Sequence, residues 1–222
     1  MSASDGDGDT EADADSDAQI DAESDADVRD VDGRHRRAER SRAAVVDALL
    51  SLYDDGVVRP GVADIAARAG VSPRSVFRHF ADLEGLAEAA IDRQWERVHR
   101  LFDAPPHEGD RDTRVAALVG QRLRLHGANI GVARAAAVLS TSSPVVASTL
   151  RARRRLLGDQ VVELFAPELR IPRGQARSEL AAALQATASI ENVDYLRTHA
   201  GLGPEATAAV VRRTLHALLE AP

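Results

Sequence analysis

The side chains able to do chemistry in this 222-residue chain fall into two sets. The first set is catalytic in type and has no usable spacing. The seven histidines are His35, His79, His99, His107, His126, His199 and His216, and no two share the helical spacing of a zinc pair such as H-E-x-x-H. Cysteine is absent, which excludes thiolate metal sites and a disulfide scaffold. No serine sits in a G-x-S-x-G setting and no glycine-rich phosphate loop occurs. The adjacent carboxylates Asp54 and Asp55 precede Gly56, where a helix end leaves them solvated. No enzyme activity, cofactor or metal is expected. The second set is built for binding. Residues 61–80 place Arg74, Ser75, Arg78 and His79 close together, with no acid between Ala67 and Ala81. Guanidinium groups bond the acceptor edge of guanine in the major groove, and a serine hydroxyl reaches base or phosphate.

Those side chains need a short rod to present them, and the flanking residues supply one. Ile65, Ala66 and Ala69 form an apolar stripe, and the small Ala66 lets a second helix cross closely. Gly70 can take the left-handed conformation that ends a helix sharply, and Val71 plugs the turn. Ser72 and Pro73 pair a capping hydroxyl with a proline suited to the first helical turn. Val76 and Phe77, with Phe80 beyond, are expected to pack inward. Two helices across a three-residue turn, the second with a basic outer face, make a helix-turn-helix. An ordinary pair of helices with a solvated basic face is the plainer alternative.

Helical periodicity continues almost throughout from about residue 38. Val45, Leu49 and Leu52 share one face, and Gly56 ends that helix. Later stretches are expected at about 83–102, 111–126, 129–139, 144–166, 175–199 and 204–220. Their breaks fall at Pro105-Pro106, Gly127, Ser142-Ser143-Pro144, Pro172-Arg173-Gly174 and Gly201–Pro204. No run of alternating β-branched residues appears. The expected fold is all-α, with about nine helices: three short ones, then a larger helical region. Aromatic residues make up only 3% of the chain, which suits aliphatic helix-on-helix packing.

With these residues in place, Val46 to Leu86 resembles the N-terminal DNA-binding domain of TetR-family transcriptional regulators. The carrying residues are Ile65-Ala66, Ala69-Gly70-Val71-Ser72, Val76-Phe77-Arg78-His79-Phe80 and Leu86. The same core motif also resembles the helix-turn-helix of response-regulator output domains and sigma factors. Those usually lie near the end of their chains, whereas about 140 mostly helical residues follow here. The resemblance implies a homodimer on a palindromic operator of double-stranded DNA, and a C-terminal domain for effector binding and dimerisation. The candidate DNA contacts are Ser72, Pro73, Arg74, Ser75, Phe77, Arg78 and His79. Three positions depart from the family pattern: Gly61 replaces a threonine, Phe77 a tyrosine and Leu83 a lysine. Each removes a phosphate contact, which weakens backbone affinity rather than base reading. A basic arm can compensate, since residues 34–42 hold five arginines against one glutamate. Arg36, Arg37 and Arg42 are its candidate contacts.

By the same resemblance, a ligand cavity lies among helices 4, 5, 7 and 8. Trp95, His99, Phe102, Arg122 and His126 are the candidate lining residues; core filling or surface positions are the alternatives. Leu180, Leu184 and Ala188 on one helix, and Val211, Leu215 and Leu218 on another, are the candidate dimer interface. The alternative is that these faces close the monomer's own core. A cluster at Arg151, Arg153, Arg154 and Arg155 reads as a solvated face or a site for an acidic partner.

Charge divides the chain further. Residues 1–32 carry thirteen acids and one arginine, while the rest carries 27 arginines and 22 acids. The acidic stretch lacks the apolar surface to offset ordering entropy and is expected to be disordered. It solubilises the chain or competes with nucleic acid for the neighbouring basic arm. The expected organisation is an acidic tail over 1–33, an armed helix-turn-helix domain over 34–84, and an effector and dimerisation domain over 85–222. All 28 basic residues are arginine, which we read as codon bias. No apolar run approaches the roughly 20 residues of a membrane helix, and the N-terminus lacks a signal peptide, so a cytoplasmic location is expected. Together these readings point to a transcriptional regulator, a repressor, modulated by a small-molecule ligand. The alternative is a protein-interaction module with a degenerate helix-turn-helix.

Overall fold

The structure, a computed structural model, describes residues 35–170 and 173–220. The acidic stretch and Arg34 lie outside them. Every regular element among the described residues is helical. Helix α1 covers 35–54. It is followed by α2 (Val62–Ala69), α3 (Pro73–His79), α4 (Leu83–Val98), α5 (Arg111–Leu139), α6 (Pro144–Leu164), α7 (Gln175–Thr187), α8 (Ile190–Thr198) and α9 (Pro204–Glu220). Short 3₁₀ turns occupy His99–Phe102 and Glu168–Arg170. The described residues fall into two units, one ending at Val45 and the other starting at Val46.

Side chains set most helix starts. Asp82, Asp110, Ser143 and Ser189 each accept a hydrogen bond from the backbone N–H three residues on, at 2.8, 2.8, 3.3 and 3.0 Å. Such caps satisfy donors that the first helical turn leaves without partners. Pro144 adds a preset first turn to α6.

The expected count of nine helices holds among the described residues, but two boundaries differ from the sequence reading. Residues 111–126 and 129–139 form one helix of 29 residues that runs straight through Gly127. An interior glycine costs a helix only about 1 kcal/mol, and tertiary packing of α5 against α4, α6, α8 and α9 outweighs it. Conversely, the stretch 175–199 divides at Ala188 and Ser189. The Ser189 hydroxyl starts a new helix there by accepting from the Asn192 N–H. The long fourth helix also tightens into the 3₁₀ turn over its last four residues.

The main core gathers Val115, Leu118 and Val119 of α5, Val161 and Leu164 of α6, Leu184 of α7, and Val211 and Leu215 of α9, with Phe165 among them. Two arginines of α5 lie inside this packing. Arg114 is 8% exposed, donates to the Leu164 carbonyl at 2.6 Å, and pairs with Glu168 at 2.6 Å. Arg122 is 1% exposed. Its guanidinium donates to the carbonyls of Ala188 (2.9 Å) and Leu157 (2.8 Å) and to the side-chain oxygens of Gln160 (3.2 Å) and Gln121. A buried charge is tolerable only with such full hydrogen bonding. Burial lowers the Arg122 pKa to about 10, so it stays charged at neutral pH.

Candidate nucleic-acid interface and cavity

The turn between α2 and α3 is built by local chemistry. Gly61 stands at the N-cap of α2, and its N–H donates to the Asp64 carboxylate at 2.9 Å. Gly61 has no side chain, so only this half of a capping box exists. At the other end Gly70 adopts φ +67°, and the Val71 N–H returns to the Ala66 carbonyl at 3.0 Å. Ser72 then caps α3 through the Ser75 N–H at 3.2 Å, with Pro73 at the first helical position. Ile65, Ala66, Val76 and Phe80 are buried. The Arg68 guanidinium ties α2 to the end of α1, meeting Ser51 at 2.5 Å and Asp55 at 2.8 Å.

One orientation differs from expectation. Phe77 does not pack inward beside Val76 but is 56% exposed. Helical geometry explains this: Val76 and Phe80, one turn apart, already occupy the inner face, and Phe77 sits about 100° round from Val76. Phe77 therefore stands on the flank of α3, next to Arg74 one turn before it. Ser72, Pro73, Arg74 and Arg78 are exposed, and Ser75 and His79 are half-buried. Among the departures from the family pattern, Gly61 is exposed and Leu83 is 41% exposed. In the first unit, Arg36, Arg37 and Arg42 are exposed on helical residues. There His35 pairs with Glu39 at 3.2 Å, and Arg40 donates to the Arg36 carbonyl at 3.2 Å.

Further along, α5, α6 and α8 enclose a cavity of about 370 Å³, with Ile91 of α4 and Phe102 closing one side. Of the five residues expected to line it, only Phe102 does. Trp95 meets Phe102 at 5.1 Å between ring centres with the rings tilted, and the Arg153 guanidinium lies over the Trp95 ring at 4.8 Å. The His99 ring turns back onto the carbonyls of Trp95 and Glu96. Arg122 belongs to the buried network described above. His126 bonds Asp194 at 3.0 Å, and it is Asp194 that reaches the cavity. Burial pushes the Asp194 carboxyl up, but hydrogen bonds from Arg134 and His126 outweigh it and hold the carboxyl below its usual range. The residues that sequence reasoning missed are chiefly Asn129, Ile130 and Arg134 of α5 and Asp194 of α8. On α5 the only signal was the alanine-rich run 133–137 around Arg134, which the supposed break at Gly127 set apart.

The cavity wall touches the helix-turn-helix region directly. A Cβ at Gly131 would stand 2.4 Å from the Tyr53 carbonyl oxygen, so α5 crosses the end of α1 backbone to backbone. One turn away, the Gln94 amide of α4 donates to the Ala128 carbonyl at 2.7 Å.

Comparison with known proteins agrees with the architecture of the turn. Residues 48–90 match the sequence model of the family described as "Bacterial regulatory proteins, tetR family". This segment of 43 residues is similar to that family. A curated relative, the A-factor receptor protein of Streptomyces griseus, is 35% identical over 74 residues, a third of this chain. The match spans only 27% of that protein's length. Among solved structures, a transcriptional regulator from Rhodococcus sp. Rha1 aligns with a TM-score of 0.59 at 22% identity, covering 82% of this chain and 96% of its own. A tetR-family transcriptional regulator from Streptomyces coelicolor aligns at 0.58 and 18% identity, covering 81% and 79%. These alignments show that the chain shares its fold with those proteins well beyond the matched segment.

The six residues expected at a dimer interface fare unevenly. Leu184, Ala188, Val211 and Leu215 are at most 2% exposed within one chain, so they close its own core rather than offering a surface to another. Leu180 and Leu218 are partly buried against the same cluster. An apolar stripe reports that something covers it, not which chain does. No helix among the described residues is long and apolar enough to cross a membrane.

Proposed function

We propose that this chain is a sequence-specific DNA-binding transcriptional regulator, a repressor whose hold on its operator is modulated by a small molecule in the α5–α6–α8 cavity. The observation that carries the reading is the outward face of α3. Arg74, Phe77 and Arg78 stand exposed there, on a capped rod whose inner face is closed by Val76 and Phe80. Arginine reads guanine from the major groove, while Ser72, Pro73, Ser75 and His79 complete the contact surface. Arg36, Arg37 and Arg42 add sequence-independent attraction to phosphate. The domain limits proposed are an acidic tail to residue 33, the DNA-binding domain over 34–84, and the effector and dimerisation domain over 85–222.

Binding as a homodimer requires two α3 rods about one DNA turn apart, roughly 34 Å or a multiple of it. The partner would meet residues that the fold leaves outside on α7 and α9. Ala182, Ala186, Ala209 and Val210 are exposed there. The effector's lever is the crossing at Gly131, where the cavity-lining helix rests on the end of α1. A ligand acts only if it binds the operator-competent and released forms with different affinity.

The deciding experiment is binding-site selection from random DNA, followed by fluorescence anisotropy on the selected sequence over a salt series. The expected result is a palindromic consensus whose affinity falls steeply with salt, because arginine–phosphate contacts release counterions. Arg74→Ala should cost about 1–3 kcal/mol on the selected site. No enriched sequence, or affinity indifferent to salt, would instead favour a protein-interaction module. The loss of phosphate-contacting groups at Gly61, Phe77 and Leu83 is what makes that the alternative.

A further inference from the structure

We infer that the α5–α6–α8 cavity takes an uncharged, largely hydrocarbon molecule bearing one hydroxyl group, and that the Asn129 side-chain amide binds this hydroxyl. The inference deepens the effector reading above and rests on it only for the consequence at DNA. The walls are mostly apolar: Ile91, Phe102, Ile130, Val146, Leu150 and Ile190 all face the space. Its volume of about 370 Å³ lies at the small end of ligand sites, which span roughly 300–1,000 Å³.

At this lining one polar side chain stands out. The Oδ1 atom of Asn129, a residue that lines the cavity, is buried and has no hydrogen-bond donor among the described residues. A buried acceptor without a donor is costly, and native proteins rarely leave one. A ligand hydroxyl can donate to the amide oxygen and accept from the amide nitrogen, so it suits either orientation of the amide.

Charge at the cavity argues against an anionic ligand. Arg134 is paired with Asp194 at 2.6 Å, and Arg154 with Glu191 at 2.6 Å. Arg153 lies over the Trp95 ring at 4.8 Å. An anionic head group would have to separate one of the two pairs or draw Arg153 off the ring. A hydroxyl needs neither.

The chain holds one tryptophan. Trp95 packs against Phe102, which lines the cavity, so its fluorescence reports occupancy without DNA. The test titrates the full chain with 1-decanol, decyl methyl ether and decanoate. 1-Decanol is expected to bind about tenfold more tightly than the ether, which accepts but cannot donate, and more tightly than decanoate. Asn129→Leu should bring alcohol and ether to near-equal affinity. Val146→Phe, which fills the cavity, should weaken both while leaving circular dichroism unchanged. The comparison of alcohol with ether in the unaltered chain stands even if a variant fails to fold. Equal binding of alcohol and ether, tighter binding of decanoate, or no binding of any probe overturns the inference. Expected fluorescence behaviour without any change in operator affinity would uphold the ligand class and overturn the effector role instead.

Discussion

On α3, Arg74 and Arg78 stand exposed beside Phe77, with no acidic residue from Arg68 to Ala81. On α5, Arg122 is 1% exposed, and its donors are taken up by the carbonyls of Ala188 and Leu157 and the amides of Gln121 and Gln160. The side chain is the same in both places, but the setting decides its use. A guanidinium left at the surface of a short capped rod is available to an outside acceptor. A guanidinium enclosed by carbonyl oxygens joins the end of α7 to the body of α6 and has nothing left to offer a ligand. The sequence already held a hint of the difference. Arg114 and Arg122 lie on the stripe that includes Leu118 and Leu125, one turn apart each time, whereas Arg74 and Arg78 lie opposite the buried Val76 and Phe80.

Substitution can break this contrast. Arg122→Ala should cost about 3–5 kcal/mol of stability, since it leaves several buried oxygens without donors and opens a void. Arg74→Ala should leave the urea midpoint unchanged while weakening operator binding. Equal midpoints for the two variants would show that burial does not separate their roles.

Two glycines of α5 sharpen the same distinction between packed and open surface. Nothing lies within 4 Å of a Cβ placed on Gly127, whereas a Cβ on Gly131 would meet the Tyr53 carbonyl at 2.4 Å. Gly131→Ala should destabilise the chain by about 1–3 kcal/mol, because backbone must move. Gly127→Ala should stabilise it by about 0.5–1 kcal/mol. Thermal unfolding of the pair distinguishes them, and a common sign would refute the close crossing of α5 and α1.

The smallest expected effect comes from Asp194, between the two extremes at the cavity edge. Its carboxyl is held below the usual range by Arg134 and His126. The stability it adds is therefore fully present above the unfolded aspartate pKa of about 3.9. It is lost as pH falls through the lower folded value. Asp194→Asn should make the acid limb of the stability profile shallower below about pH 4, read by urea unfolding at successive pH values.

The helix-turn-helix was legible because its signals are local. Gly70, Ser72 and Pro73 act within four residues of one another, and each does in the structure what its chemistry suggests. Phe77 was harder, since periodicity alone leaves room for it on either side of Val76. The cavity was not legible, because its wall joins residues of α5, α6 and α8 as far apart as Asn129 and Tyr195. No residue type announces such a meeting, and the lone acceptor of Asn129 exists only once the surrounding helices are in place. The breaks misled in opposite directions. Gly127 looked like a stop but was overruled by packing, while Ser189 was passed over although its hydroxyl starts α8. The stripes on α7 and α9 were correctly apolar, yet pattern cannot name the surface that covers them.

The bare notch at Gly131 has a consequence for anyone exchanging parts between such proteins. A chimera spliced after α4 would set a foreign headpiece against this α5, and the seat for its first helix would be cut to the outline of Tyr53 and Asp54. A donor headpiece whose first helix ends in another shape would rock on that seat, and under the proposed function its grip on DNA would drift free of whatever fills the chamber behind. Transplants that carry residues 46–139 as one piece keep the two halves in gear.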